Sequence, residues 1–236
     1  MFLVRPGRIM KSFGACSAIV VAPGCLQKAG VTGAHTDLTR PDKDSEDQAL
    51  LERIRSLCDE GRAIWERFDE EVRSRSWHPF VPADYERVLS DLLRLRHPGG
   101  RFLEMGSASG VIAIMADFLG FEAYGIEIDP ELVAVARSLA ERHGSDARFA
   151  AGSFVPSAYV WKSGTGDDRL GTLALAEPAY AELGCDLSYF DVVFAYPWDG
   201  EEAVLRDIMR RHGAARATLL LHGPAVRVEA DRTRTT

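Results

Sequence analysis

The chain has 236 residues, of which 46 % are apolar and 27 % charged, with 35 acidic and 28 basic side chains and a formal net charge of −7. That is enough chain for one α/β domain with a full core and some additions. The acidic balance argues against nucleic acid as a partner, and no apolar run reaches the roughly 18 residues that cross a bilayer. The cysteines, Cys16, Cys25, Cys58 and Cys185, form no Cys-x-x-Cys pair. No metal site is expected, and the spacing reads as free thiols in a reducing, cytoplasmic compartment.

Residues 1–44 read as a disordered N-terminal extension. Inside it, Ser17 to Cys25 is similar to the apolar part of a signal peptide ending in a cysteine, but the run is short and broken by Pro23. Ser45-Glu46-Asp47-Gln48 fits a capping box. Behind it Leu50, Leu51, Ile54, Leu57, Cys58, Ile64, Trp65, Phe68 and Val72 fall on one helical stripe, predicting a helix over 46–73 loosened at Gly61, with Trp65 and Phe68 in the core. Trp77-His78-Pro79-Phe80-Val81-Pro82 is an aromatic loop of lid-like placement. Pro82 is expected in the first turn of the next helix, whose stripe is Tyr85, Val88, Leu89, Leu92 and Leu93.

From Arg101 the pattern alternates. Strands are expected at Arg101–Met105, Ala123–Ile128, Ala147–Ala151, Phe190–Ala195 and Ala217–Leu221, with helices at 109–119, after Asp129-Pro130-Glu131, and at 201–212. Asp129 is an acidic N-cap followed by Pro at the first position, and Gly144 is the stop. A further helix is read at 176–184 and a last short strand at Val226–Glu229. Strands alternating with helices imply a doubly wound, mostly parallel sheet covered on both faces.

Chemistry concentrates at Leu103-Glu104-Met105-Gly106-Ser107-Ala108-Ser109-Gly110. A strand there enters a glycine-bounded turn and then a helix, whose unpaired N–H groups face a ligand that the glycines let approach closely. At the end of the second strand stands Glu127, an acceptor-only carboxylate where a ribose diol would be bound.

These residues resemble a known family. Glu104-x-Gly106-x-Ala108-x-Gly110 is similar to motif I of the class I S-adenosylmethionine-dependent methyltransferases, and Gly125-Ile126-Glu127-Ile128-Asp129-Pro130 to the segment that follows it. Arg148 to Phe154 resembles the stretch beside the adenine, and Phe190 to Trp198 resembles motif IV. The resemblance implies a Rossmann-like core over 99–224, with a helical cap over 45–98, a shortened C-terminal end and a tail at 225–236. It implies S-adenosyl-L-methionine as cofactor and S-adenosyl-L-homocysteine as product. Glu104, Gly106, Ser107, Ala108 and Gly110 would lie at the methionine part, Glu127 on the ribose and Ile128 on the adenine. Gly152, Ser153 and Phe154 would close the adenine edge, with Ala195 at the motif IV end. Ala108 replaces the middle glycine, which suits a position that does not need left-handed backbone. Ala195 stands where amino-group methyltransferases carry a polar residue that holds the target nitrogen.

The catalytic residue is not specified by the sequence. The acceptor-side candidates are Tyr196, Trp198, Asp199 and His78, with Glu201, Glu202 and His222 behind them. Tyr159, Trp161, Trp77, Phe80, Tyr196 and Trp198 could form an aromatic pocket. A small molecule or a protein is favoured as methyl acceptor. Two other readings stand beside this one. A nicotinamide-dependent oxidoreductase would want glycines at 106, 108 and 111, where the chain has Gly106, Ala108 and Val111. A non-catalytic binding or partner module would keep the fold and the cofactor without turnover.

Overall fold

The computed structural model describes residues 43–76, 78–160, 173, 176–198, 200–223 and 229–232. Trp77, Trp161, Asp199, Cys16, Cys25, the leader-like run and the middle of the 155–189 connection lie outside these residues. The first helix, α1, runs from Lys43 to Phe68 and passes into a π-helical turn at Asp69–Arg73. The capping box does not form, because the helix already begins at Lys43. Gln48 instead reaches outward to Glu52 at 3.0 Å. Nor does Gly61 loosen the helix. It is buried, and a Cβ there would meet Val111 Cγ2 at 2.5 Å, so its missing side chain lets the next layer approach. Trp65 and Phe68 are only half-buried.

Helix α2 spans Tyr85–Leu95 and is capped by Asp84, whose carboxylate accepts from Arg87 N–H at 3.1 Å. The cap takes the place expected of Pro82, which remains in the preceding extended segment. The core then alternates as β1 (Arg101–Met105), α3 (Val111–Phe118), β2 (Glu122–Glu127), α4 (Pro130–His143) and β3 (Arg148–Ala151). After it come α5 (Tyr180–Leu183), a 3₁₀ turn at Leu187–Tyr189, β4 (Val192–Ala195), α6 (Glu202–His212), β5 (Thr218–Leu221) and β6 (Glu229–Arg232). The helix expected over 176–184 is a single turn, and the last strand lies three residues later than its apolar pattern indicates. Asp129 and Gly144 cap α4 as expected, the first accepting from Glu131 N–H and the second in left-handed backbone.

The strand order is β3-β2-β1-β4-β5-β6, with five parallel strands and β6 antiparallel to β5. Order reverses between β1 and β4, which opens a crevice beyond the carboxyl ends of the strands where this architecture binds ligands. Side chains alternate across the sheet. Phe102, Ala123, Phe149, Val192, Phe194 and Leu220 pack with α1 to α4 on one face. Leu103, Met105, Ile126, Val193, Ala195, Leu219 and Leu221 pack with α5 and α6 on the other. Each large side chain buried this way contributes about 1.5–3 kcal/mol of transfer free energy. No helix among the described residues is long and apolar enough to cross a membrane.

Candidate cofactor cleft

The β1–α3 turn is built by three residues in left-handed backbone, at φ 76° for Gly106, 43° for Ala108 and 78° for Gly110. Ala108 therefore does adopt the conformation that its lack of glycine argued against. The turn is held against β2 by the N–H groups of Gly106 and Ser107, both donating to Ile126 O at 2.9 Å. The two glycines have different jobs. A Cβ on Gly106 would meet nothing within 4 Å, whereas one on Gly110 would stand 2.6 Å from Phe149 Cζ and 2.8 Å from Ala136 Cβ. Gly106 keeps the turn open, and Gly110 lets α3 pack on α4 and β3. Ser107 Oγ is buried and has no hydrogen-bond partner among the described residues. An orphaned hydroxyl at this depth is costly unless a ligand or water meets it.

Glu127 is not a solvated acid at a strand end. It is buried, and its carboxylate accepts from Ala108 N–H at 2.8 Å, Ile128 N–H at 2.7 Å and Asp129 N–H at 3.0 Å. Burial raises its pKa, and the three N–H groups work against that rise. Glu104 is buried on the same face of the sheet and accepts from Ala113 N–H at 2.9 Å, capping the start of α3. Burial drives its pKa well above the ordinary carboxylate value, and the neighbouring Glu127 pushes the same way.

One cleft gathers most of the residues singled out in the sequence. Its walls are Gly106, Ala108, Glu127, Ile128, Gly152, Ser153, Phe154 and Tyr196, and a strap of His78, Pro79, Phe80 and Val81 lies over them. Ile128 is 40 % exposed, an apolar side chain left open to whatever enters. Gly152 is required where it stands, because a Cβ would come within 2.5 Å of Glu177 O. The strap is tied down at several points. Arg73 Nε donates to His78 O at 3.1 Å, and the Phe68 ring lies edge-on to His78 and Phe80 at 4.9 and 5.3 Å. Phe80 N–H donates to His78 Nδ1 at 3.1 Å, which places the imidazole proton on Nε2, 3.6 Å from Asp129 Oδ2. The extended lid-like segment is legible in the sequence, but Pro79 and Val81 as individual wall residues are not.

Several expected residues fall elsewhere. Glu104, Ser107, Gly110 and Ala195 lie behind the walls, with the Ala195 side chain in the opposite core. Trp198 is half-buried outside the cleft walls, and its backbone N–H donates to Glu201 Oε2 at 2.9 Å. Glu201 is itself buried and also accepts from Leu173 N–H, so it serves the loop and not the cleft. Tyr159 bonds Asp207 on α6, and among the described residues of the supposed aromatic pocket only Phe80 and Tyr196 meet in the cleft. Burial raises the pKa of the Tyr196 phenol, which lines the cleft.

Outside the cleft walls the sequence undersells one pair. His222, just beyond β5, is 4 % exposed and places Nε2 at 3.0 Å from Asp91 Oδ2 on α2. The missed signal is a carboxylate among Val88 and Leu92 on the buried stripe of α2. A larger hollow of about 590 Å³ lies at the amino ends of the strands, lined by Arg101, Glu122, Tyr124, Arg148, Cys185 and Tyr189 among others. Its charges and phenols are bonded to one another, with Glu122 receiving both Tyr124 and Tyr189 hydroxyls. Among the described residues no cluster of His, Cys, Asp and Glu could hold a metal ion.

No family model matches the chain. Over 66 residues it is 43 % identical to the ribosomal protein L11 methyltransferase of Thermus thermophilus, a stretch covering 28 % of this chain and 26 % of that protein. It is 42 % identical over 66 residues to an ATP synthase lysine N-methyltransferase of the mouse (Mus musculus), covering 28 % and 27 %. The matched stretch is thus about a quarter of the length of either relative. Both relatives are methyltransferases, the activity carried by the family that the sequence motifs resemble. Among solved structures, an RNA methyltransferase from Salinibacter ruber in complex with S-adenosyl-L-homocysteine aligns at a TM-score of 0.45 and 23 % identity. That alignment covers 64 % of this chain and 84 % of that one.

Proposed function

We propose that the chain is an S-adenosylmethionine-dependent methyltransferase acting on a small molecule or a protein. The observation that carries this reading is the cleft itself. It sets a turn kept open at Gly106 beside a buried carboxylate, Glu127, on the next strand, with an exposed apolar wall at Ile128. The donor set suits an adenosyl amino acid. Glu127 would receive the ribose. A carboxylate offers about four lone-pair positions, and three are already used by backbone N–H groups. One hydroxyl fits with the loop unmoved, and the second requires one of those N–H groups to give way. Ile128 would pack on the adenine, and Ser153 or Phe154 would close its edge. The orphaned Ser107 hydroxyl and the open side of Gly106 would lie at the methionine end. The bound cofactor supplies a methyl group on a sulfonium, and the protein's share is alignment and exclusion of water.

The cleft under the strap measures about 90 Å³, well below the ~300–1,000 Å³ of small-molecule sites. The strap at 78–81 therefore has to lift for an adenosyl ligand to enter, and its return would shut out water. A protein acceptor draws support from the relatives, one named for ribosomal protein L11 and one for a lysine of ATP synthase.

The test is calorimetric titration of S-adenosylmethionine, S-adenosylhomocysteine and NAD into the protein and into Glu127→Ala. Binding of both adenosyl ligands but not NAD, lost in the variant, is the expected result. Absence of both from well-folded protein would overturn the reading. Tight binding without transfer to any acceptor class would favour a non-catalytic binding module on the same fold.

A further inference from the structure

Beyond the cofactor, and resting on that reading, a second piece of chemistry stands in the strand row that carries Gly106 and Tyr196 of the cleft. The register pairs Met105 with Ala195 and Ala195 with Leu221. One step further along the same three strands come Gly106, Tyr196 and His222. His222 N–H donates to Ala195 O at 3.1 Å, which carries the parallel ladder to that row. Neighbouring strands are about 4.8 Å apart, so His222 stands two strand spacings from the open side of Gly106, with Tyr196 between them.

The imidazole is fixed rather than free. It packs on Phe194 with ring centroids 5.3 Å apart, and its Nε2 meets Asp91 Oδ2 at 3.0 Å. Asp91 is itself buried, and its other oxygen takes Arg94 Nη2 at 2.5 Å. An ionised carboxylate only accepts, so the proton of the neutral ring sits on Nε2 and the lone pair on Nδ1. Among the described residues no hydrogen bond to Nδ1 is seen. The other charged groups around the ring are Asp84 and Arg87, from the start of α2. Burial lowers the His222 pKa despite Asp91, leaving the ring neutral at ordinary pH. If the pair served only to tie α2 to β5, two apolar side chains of similar volume would do as well or better.

We propose that His222, oriented by Asp91, is the proton acceptor of this site, and that the methyl acceptor is a hydroxyl or ammonium group whose attacking atom arrives protonated. The acceptor's proton passes to Nδ1, and the freed lone pair forms the new bond to the methyl carbon. The electron pair of the broken carbon–sulfur bond stays on sulfur, cancelling the sulfonium charge. The imidazolium then returns its proton to solvent. This is the orienter–base geometry of general base catalysis.

The experiment reads the ring directly and needs no identified acceptor. In histidine-¹⁵N-labelled protein, long-range ¹H–¹⁵N spectra should show His222, assigned by its loss in His222→Gln, as the Nε2–H tautomer at about pH 7. Asp91→Asn should disturb that tautomer. Diethyl pyrocarbonate, followed by peptide mass spectrometry, should modify His222 in the free protein. Saturating S-adenosylhomocysteine should slow this roughly tenfold and leave His143, paired with Glu60 on α1, unaffected. His222→Gln should still bind S-adenosylhomocysteine within about twofold. A protonated Nδ1, an unreactive ring, or reactivity blind to bound S-adenosylhomocysteine would overturn the proposal. Should calorimetry show no binding of that ligand, the cofactor reading fails. With it falls the role of His222 in methyl transfer, whereas binding of that ligand beside an inert or Nδ1-protonated ring overturns the His222 proposal alone.

Discussion

Gly106 and Gly110 bound the same turn, yet replacing each with alanine should damage different properties. Both have positive φ, so a Cβ costs about 1–2 kcal/mol at either position. Removing a glycine also restricts the unfolded chain and returns about 0.4–1 kcal/mol. For Gly106→Ala nothing else enters, since the new methyl meets no atom within 4 Å. Its net cost to folding is between about 0 and 1.6 kcal/mol. For Gly110→Ala the methyl would lie 2.6–2.8 Å from Phe149 and Ala136, which adds an overpacking penalty of about 1–3 kcal/mol. The obstruction cannot be relieved cheaply, because the Phe149 ring is wedged between two glycines. A Cβ on Gly125 would meet the same ring at 2.6 Å.

Urea unfolding should therefore place Gly110→Ala about 1–4.6 kcal/mol below the parent. Gly106→Ala should unfold close to the parent but lose affinity for S-adenosylhomocysteine by about 10- to 100-fold, or 1.4–2.7 kcal/mol, because its methyl fills the open side of the cleft. Equal destabilisation of both variants, or unimpaired binding by a folded Gly106→Ala, would refute the division of labour.

Three further outcomes are expected. Burial lowers the His222 pKa, so the unfolded chain takes up its proton first as pH falls. The stability tied to this group should be complete above the ordinary histidine value of 6.5 and decline as pH drops through the folded value. A series of urea midpoints against pH should show that slope, and His222→Gln should flatten it. Arg101 holds Asp191 below the ordinary carboxylate range through two side-chain bonds of 2.7 and 2.8 Å. Its contribution should be present above the ordinary aspartate value of 3.8 and vanish as pH falls through the folded one. Asp191→Asn should cost about 1 kcal/mol at neutral pH, since the pair is partly solvated. Finally, stopped-flow binding of S-adenosylhomocysteine should level off at high ligand concentration if the strap must open first. His78→Ala, which removes the tie to Asp129, should raise that plateau, and an unchanged linear dependence would exclude a gating strap.

The parts of this molecule legible in its sequence are those governed by local rules. Asp129-Pro130 starts α4 and Gly144 stops it because caps act within a turn of chain. The strands are visible because they read as short apolar runs between helical segments, and Glu127 is visible because a carboxylate at a strand end is conspicuous. What stays hidden is competition between neighbours. Ser45 and Gln48 make a good capping box, but the helix runs through it to Lys43. Ala108 sits at positive φ inside a turn whose ends, Ser107 and Gly110, are bonded to each other, with Ser107 also held to β2.

The same distinction explains the buried acids. Glu104 belongs to the motif in sequence, yet in space its bond is to the α3 backbone, so its service to the cleft is to hold the turn that Gly106 opens. Asp91 belongs to no motif and reads as an error in an apolar stripe until β5 brings His222 against it, 131 residues later. A motif reports which residues meet a ligand that many proteins share. The chemistry particular to one protein is assembled across the sheet, where strand order and not sequence spacing decides which side chains become neighbours.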